Sequence, residues 1–142
     1  MTATTPARPI HHTPTRAGRI EWTTAAIFAA IAAFQLALAV GAPWGRAAWG
    51  GSNHGVLPAG LRMASVGSAA VNLTLAAVAT GRLARHHRRG AIIGLIAFSA
   101  AGFVSNLATR SPIERAIWAP VTAVLLVCSV VMLRRRPGGR TT

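Results

Sequence analysis

Lysine, aspartate and tyrosine are missing from this 142-residue chain, and two acids, Glu21 and Glu114, stand against fifteen arginines for a formal charge of +13. Cysteine is nearly absent too. Cys128 stands alone inside an apolar run, which excludes a disulfide, a CxxC redox pair or a cysteine-based metal site within one chain. It reads as a small apolar side chain in a helix. Charge is scarce overall: 12% of residues are charged, where a soluble domain carries about 25% to face water. With 52% of residues hydrophobic, much of the surface must face something other than water.

So basic a chain invites a nucleic-acid reading. The arginines, however, fall between apolar runs rather than along one face, and the only aromatics are four Trp and four Phe. Nucleic acid is therefore set aside as a partner in favour of the lipid bilayer. No cofactor motif is legible. The His86–His87 pair is a poor metal site, because adjacent helical residues do not share a face and no Asp or Cys lies nearby. No residue is assigned a catalytic role.

What the chain does have is apolar length. A bilayer core about 30 Å thick needs roughly 17–25 apolar residues of helix. The runs Thr23–Gly41, Met63–Thr80, Ala91–Thr109 and Ala116–Leu133 qualify, and none contains an Arg or an acid. The expected fold is an all-α integral membrane bundle of four transmembrane helices, at about 23–41, 63–80, 91–109 and 112–133. These sit in a domain over 21–134, flanked by basic cytoplasmic tails at 1–20, read as disordered, and 135–142. The first run is longer than the ~7–15 residues of a secretion signal's core, so it reads as a retained helix.

Orientation follows from the arginines, since positive segments stay on the cytoplasmic side. Eleven of the fifteen lie in the N-terminal tail, the loop between helices 2 and 3, and the C-terminal end; Arg46, Arg62, Arg110 and Arg115 lie on the other side. This predicts a multi-pass protein of a bacterial inner (cytoplasmic) membrane with both termini cytoplasmic.

Helix association in lipid relies on close backbone approach and polar contacts. A stripe of Ala25, Ala29, Ala33 and Ala37 on helix 1 is the expected contact face. The polar residues at depth are Gln35, Ser65, Ser68, Thr74, Asn72 and Asn106. Ser65, Ser68 and Asn72 share one helix face, and with Gln35 they form a candidate intramembrane polar face pointing into the bundle. Interhelical hydrogen bonding, worth about 0.6 kcal/mol per contact, explains such a face more simply than a substrate path does. The runs hold no carboxylate, which disfavours proton-coupled transport. Glu21 reads as sitting at the mouth of helix 1 beside Trp22.

The extracytoplasmic loop 41–62 carries six glycines and two prolines, a density that implies tight turns. Trp44 and Trp49 suit the headgroup level; with Trp22 and Trp118 they make up the expected interface anchors. The loop is expected to form a compact cap over the outer mouth. In the second outer connection Ser111 is positioned as an N-cap, Pro112 as the first helical residue, and Glu114 to complete a capping box. The alternative has Glu114 pairing with Arg46, Arg62 or Arg110 in a polar cluster that also takes in Asn106 and Arg115. Pro120 should kink helix 4.

Gly41-Ala42-Pro43-Trp44-Gly45, Gly50-Gly51, Leu57-Pro58, Leu61-Arg62, Ser65, Asn106, Arg110-Ser111, Glu114-Arg115 and Pro120 form a pattern across roughly residues 34–133. On that pattern the chain resembles a family of small bacterial four-helix integral membrane proteins to which no activity attaches. The resemblance implies the fold and nothing of mechanism. Function is thus read as non-enzymatic partner binding, regulation or scaffolding through the outer loop, with another membrane protein or a second copy as partner. The alternatives are a small oligomeric transporter or channel using Gln35, Asn72 and Asn106, and an outer-face enzyme holding a lipid or anion with the arginines and using Glu114 or His54.

Overall fold

The computed structural model describes residues 17–135, and no strand occurs among them. The expected disorder of the N-terminal tail over 1–16, with Arg8 and Arg16, and the basic C-terminal tail over 136–142, with Arg136 and Arg140, lie outside the described residues. Four helices carry the chain: α1 (Arg19–Ala39), α2 (Ala59–Ala79), α3 (Arg88–Ala108) and α4 (Pro112–Arg134). All four are long and apolar enough to cross a membrane. At 1.5 Å per residue the 21 residues of α1 span about 30 Å.

The first three helices begin three or four residues ahead of the apolar runs. A run ends at its first charge, whereas a helix backbone continues through Arg19, Glu21, Arg62, Arg88 and Arg89, whose long side chains can lie along the surface. The ends of α1 and α2 are built alike. Gly41 N–H bonds Leu38 O and Ala42 N–H bonds Ala37 O; Gly81 N–H bonds Val78 O and Arg82 N–H bonds Ala77 O. Both are Schellman stops, with the glycine at φ +105° and +73° respectively. Pro120 lies inside α4, which runs unbroken from Pro112 to Arg134.

The helices run up, down, up and down as two hairpins. Arg62 Nε donates to Ala39 O at 2.8 Å, tying the start of α2 to the end of α1. α1 packs along α2 and α3 along α4; the hairpins meet mainly through α1 and α4, while α2 touches α3 sparsely. Thr24 Oγ1 donates to Met132 Sδ at 3.5 Å across the α1–α4 seam. One apolar core cluster joins Phe28, Ile92, Leu95, Leu125 and Met132. A second joins Leu38 to Ala48 and Leu57 of the 40–58 loop, with Phe34 and Leu61 against it. No more than 28% of any apolar window is buried inside the chain. Val66, Val71, Ile93, Val104 and Val127 all face outward. Such an apolar exterior on four helices of this length fits a multi-pass membrane protein.

The alanine stripe of α1 is not the packing face. Ala25 is buried but Ala29 and Ala33 are exposed, and the inward positions are Thr24, Ala25, Phe28, Ala32 and Leu38. Thr24, Phe28 and Ala32 share the four-residue spacing but sit one residue earlier, about 100° around the helix; the stripe starts at the edge of the core with Ala25 and drifts away from it at Ala29 and Ala33.

At the opposite end from the 40–58 loop, Arg88 donates to Val78 O and Ala79 O at 3.2–3.4 Å, satisfying carbonyls at the end of α2. Its Nη2 lies 3.9 Å from Glu21 Oε1. The Arg82 guanidinium sits 5.5 Å over the Trp22 ring.

Candidate functional site

The site is built where the 40–58 loop meets the helices. Two short 3-10 turns, Gly45–Ala47 and Trp49–Gly51, shape the loop, and Gly45 N–H bonds Gly55 O at 3.0 Å to close it. Three side-chain bonds seat it on the bundle. Trp118 Nε1 of α4 donates to Ala47 O at 2.7 Å, Ser111 Oγ donates to Arg46 O at 3.0 Å, and Trp49 Nε1 donates to Ser65 Oγ of α2 at 3.0 Å. Phe34 of α1 lies between Trp44, stacked at 5.9 Å, and Trp118, edge-on at 4.7 Å. The N–H groups of Trp49 and Trp118 thus turn into the protein, while Trp44 and Trp49 stay partly exposed, at 50% and 39%.

Ser111 caps α4 as its spacing predicts: Glu114 N–H donates to Ser111 Oγ at 3.3 Å. The reciprocal arm of the capping box is diverted. Ser111 N–H goes instead to Thr109 Oγ1 at 3.4 Å, and that hydroxyl donates to Glu114 Oε2 at 2.6 Å. Thr109 therefore holds a carboxylate that would otherwise lie back on the cap. Glu114 is only 9% exposed.

Beneath the loop lies a cavity of about 280 Å³ between the two hairpins. Gln35 of α1, Ser68 and Asn72 of α2, Ser99 and Asn106 of α3, and Glu114 and Thr122 of α4 supply its polar wall. Phe34, Phe98, Trp49 and Trp118 supply aromatic wall. Two buried oxygens in this wall, Gln35 Oε1 and Ser99 Oγ, have no hydrogen-bond partner among the described residues. Unmatched buried polar atoms cost about 1–3 kcal/mol each; a third, Glu21 Oε2, lies at the start of α1, and the two that line this void make it the candidate site.

The expected residues divide into groups. Gln35, Ser68 and Asn72 of the polar face reach the cavity; Ser65 is fully buried under Trp49 instead. Of the expected outer cluster, Asn106 and Glu114 reach the cavity and the four arginines do not. Arg46, Arg110 and Arg115 are exposed, and Arg62 is engaged with Ala39 O. Glu114 pairs with Thr109 rather than with any of them. Asn106 Nδ2 reaches Thr122 Oγ1 at 3.5 Å. Trp22 is exposed, remote from this site, under Arg82. His54 is exposed on the loop and does not line the cavity.

The apolar runs hold no carboxylate, as read from the sequence, but one lies close beside them. Glu114 precedes the apolar run that begins at Ala116, yet it shares one cavity with Gln35, Asn72 and Ser99. Ser99 and Thr109 escape a sequence reading. Ser99 had a signal, for Ser99, Gly102 and Asn106 recur at i, i+3 and i+7 on one face of α3. Thr109 had none.

Fold and site together define an all-helical protein among the described residues, with four helices long and apolar enough to span a membrane and a polar cavity between its hairpins. No family model matches the chain, and neither a curated protein nor a solved structure does.

Proposed function

We propose that this is a multi-pass integral membrane protein that binds a small molecule in the cavity between its hairpins and carries it across the bilayer. The observation that supports this reading is the pair of unmatched buried oxygens, Gln35 Oε1 and Ser99 Oγ, facing a void that also takes in Glu114. Its volume sits near the lower end of the ~300–1,000 Å³ typical of ligand pockets. The sparse α2–α3 seam supports movement of one hairpin against the other. Four helices leave little wall around such a path, which supports assembly with a second copy of the chain or with another membrane protein.

The partner-docking reading has less to carry it, because Trp44, Trp49 and Trp118 each make an internal contact that seats the loop, although Trp44 and Trp49 stay partly exposed. The outer-face enzyme reading lacks an acid–base pair, with His54 away from Glu114's cavity. The distribution of eleven against four arginines supports a cytoplasmic-membrane location with both termini inside and the 40–58 loop outside. The resemblance to small bacterial four-helix membrane proteins supports the same placement.

Filling the cavity tests the proposal. Ser99→Leu replaces an unmatched hydroxyl by apolar bulk, so the fold should be kept or stabilised by about 1 kcal/mol. Uptake into vesicles is measured for a panel of radiolabelled amines, amino acids and polyols. The expected result is uptake by the native protein and background uptake by Ser99→Leu. No uptake of any panel member, or equal uptake by both proteins, contradicts the proposal.

A further inference from the structure

We infer that the occupant of the cavity is a small organic cation carrying N–H donors, held by the Glu114 carboxylate against an aromatic wall. This rests on the reading of the cavity as a binding site and adds the chemistry of what it takes.

Charge comes first. Glu114 is the only ionisable side chain in the wall, and no arginine lines it. Thr109 occupies Oε2, which fixes the carboxylate and leaves Oε1 without a protein partner among the described residues. Glu114 is 9% exposed and no arginine lines the wall, so a cation in the adjoining void would be its nearest counter-charge.

The balance of donors and acceptors points the same way. Several donors in the wall are used within the protein: Trp49 Nε1 on Ser65, Trp118 Nε1 on Ala47 O, and Thr122 Oγ1 on Trp118 O. Asn72 Nδ2 bonds Ser68 O at 2.8 Å and Asn106 Nδ2 bonds Thr122 Oγ1. Gln35 Oε1 and Ser99 Oγ stand ready to accept, beside a Glu114 carboxylate whose Oε2 alone is taken by Thr109. The Ser68 and Ser99 hydroxyls and Gln35 Nε2 can also donate. An anion placed among them would face the Glu114 carboxylate, whereas a donating cation meets every one of these acceptors.

The aromatic wall narrows the class further. Phe34, Phe98, Trp49 and Trp118 surround the polar groups, and aromatic rings attract cations through their quadrupole while accommodating an apolar body. A bare metal ion fits poorly. Ca²⁺ takes roughly six to eight oxygens, and no group of three His, Cys, Asp or Glu exists among the described residues. An ammonium on an aromatic or aliphatic body satisfies charge, donors and ring contact at once.

The test uses the full chain in nanodiscs of zwitterionic phosphatidylcholine, so that anionic lipid does not collect cations. Three probes of similar shape are titrated calorimetrically: benzylammonium, benzyltrimethylammonium and benzyl alcohol. Benzylammonium is expected to bind about tenfold or more tightly than benzyl alcohol, with the trimethylated cation in between because it cannot donate. Glu114→Gln keeps an oxygen for Thr109 and should cut the ammonium preference to about threefold or less. A preference that survives Glu114→Gln overturns the role of Glu114. Equal native affinities for the ammonium and the alcohol, both lost in Ser99→Leu, overturn the cation assignment while leaving the cavity reading intact. Binding of none of the probes, with the cavity holding water alone, overturns both.

Discussion

Gly51→Ala is expected to unseat the 40–58 loop and destabilise the protein by roughly 3 kcal/mol. Gly51 has φ +68°, a left-handed conformation that costs a residue with a Cβ about 1–2 kcal/mol. The added carbon would also fall on the Ser111 side chain and within 2.9 Å of Arg46 O. Something must move there, and Ser111 is both the cap of α4 and the loop's tether. Losing the cap adds about 1 kcal/mol. Gly50→Ala is the matched control: its φ is +84°, but a Cβ there would meet nothing within 4 Å. That variant should lose only the backbone term, about 1–2 kcal/mol. Unfolding in mild detergent separates the two, and the emission of Trp49 and Trp118 should shift red in Gly51→Ala alone. Equal losses in both variants would mean that loop and cap do not depend on this contact.

Phe34→Ala is expected to cost about 2–3 kcal/mol, the second large effect. Phe34 joins three parts of the molecule: α1, the loop through Trp44, and α4 through Trp118. Each aromatic pair contributes about 0.5–1.5 kcal/mol beyond area burial, and the truncation enlarges the cavity into the loop. Apolar transfer counts for less in lipid than in water, so packing dominates the loss. Phe34→Leu retains much of the volume but neither ring pair and should recover about half. A loss below about 0.5 kcal/mol for Phe34→Ala would show the loop held independently of this hub.

The four helices are legible because lipid-facing segments must be apolar on nearly every side. Long runs without charge then mark them without any need for periodicity. The starts are less legible, since Arg88 and Arg89 belong to α3 although they end the apolar run. The N-cap at Ser111 is readable because capping is local chemistry over four residues. The fate of Glu114 is not, because Thr109 competes for the cap's N–H and redirects the carboxylate. The polar positions Gln35, Asn72 and Asn106 can be picked out one by one. Their meeting around one void depends on how two hairpins dock, which spacing within single helices does not encode. The arginines mislead for a related reason: proximity to one membrane face in sequence does not aim a side chain, and Arg62 turns to cap α1 instead.

The central claim is that small molecules enter the cavity between the hairpins, and thiol reactivity tests it most directly. In a Cys128→Ser background, Ser99→Cys places a thiol in the cavity wall. Ser129→Cys places one at a fully buried position where the serine hydroxyl bonds Leu125 O at 2.7 Å and which does not line this cavity. Both are treated with the small neutral reagent methyl methanethiosulfonate in vesicles, and modification is followed by mass. Ser99→Cys should react about tenfold or more faster than Ser129→Cys, since thiol chemistry follows access. Equal, slow modification at the two positions would contradict the account.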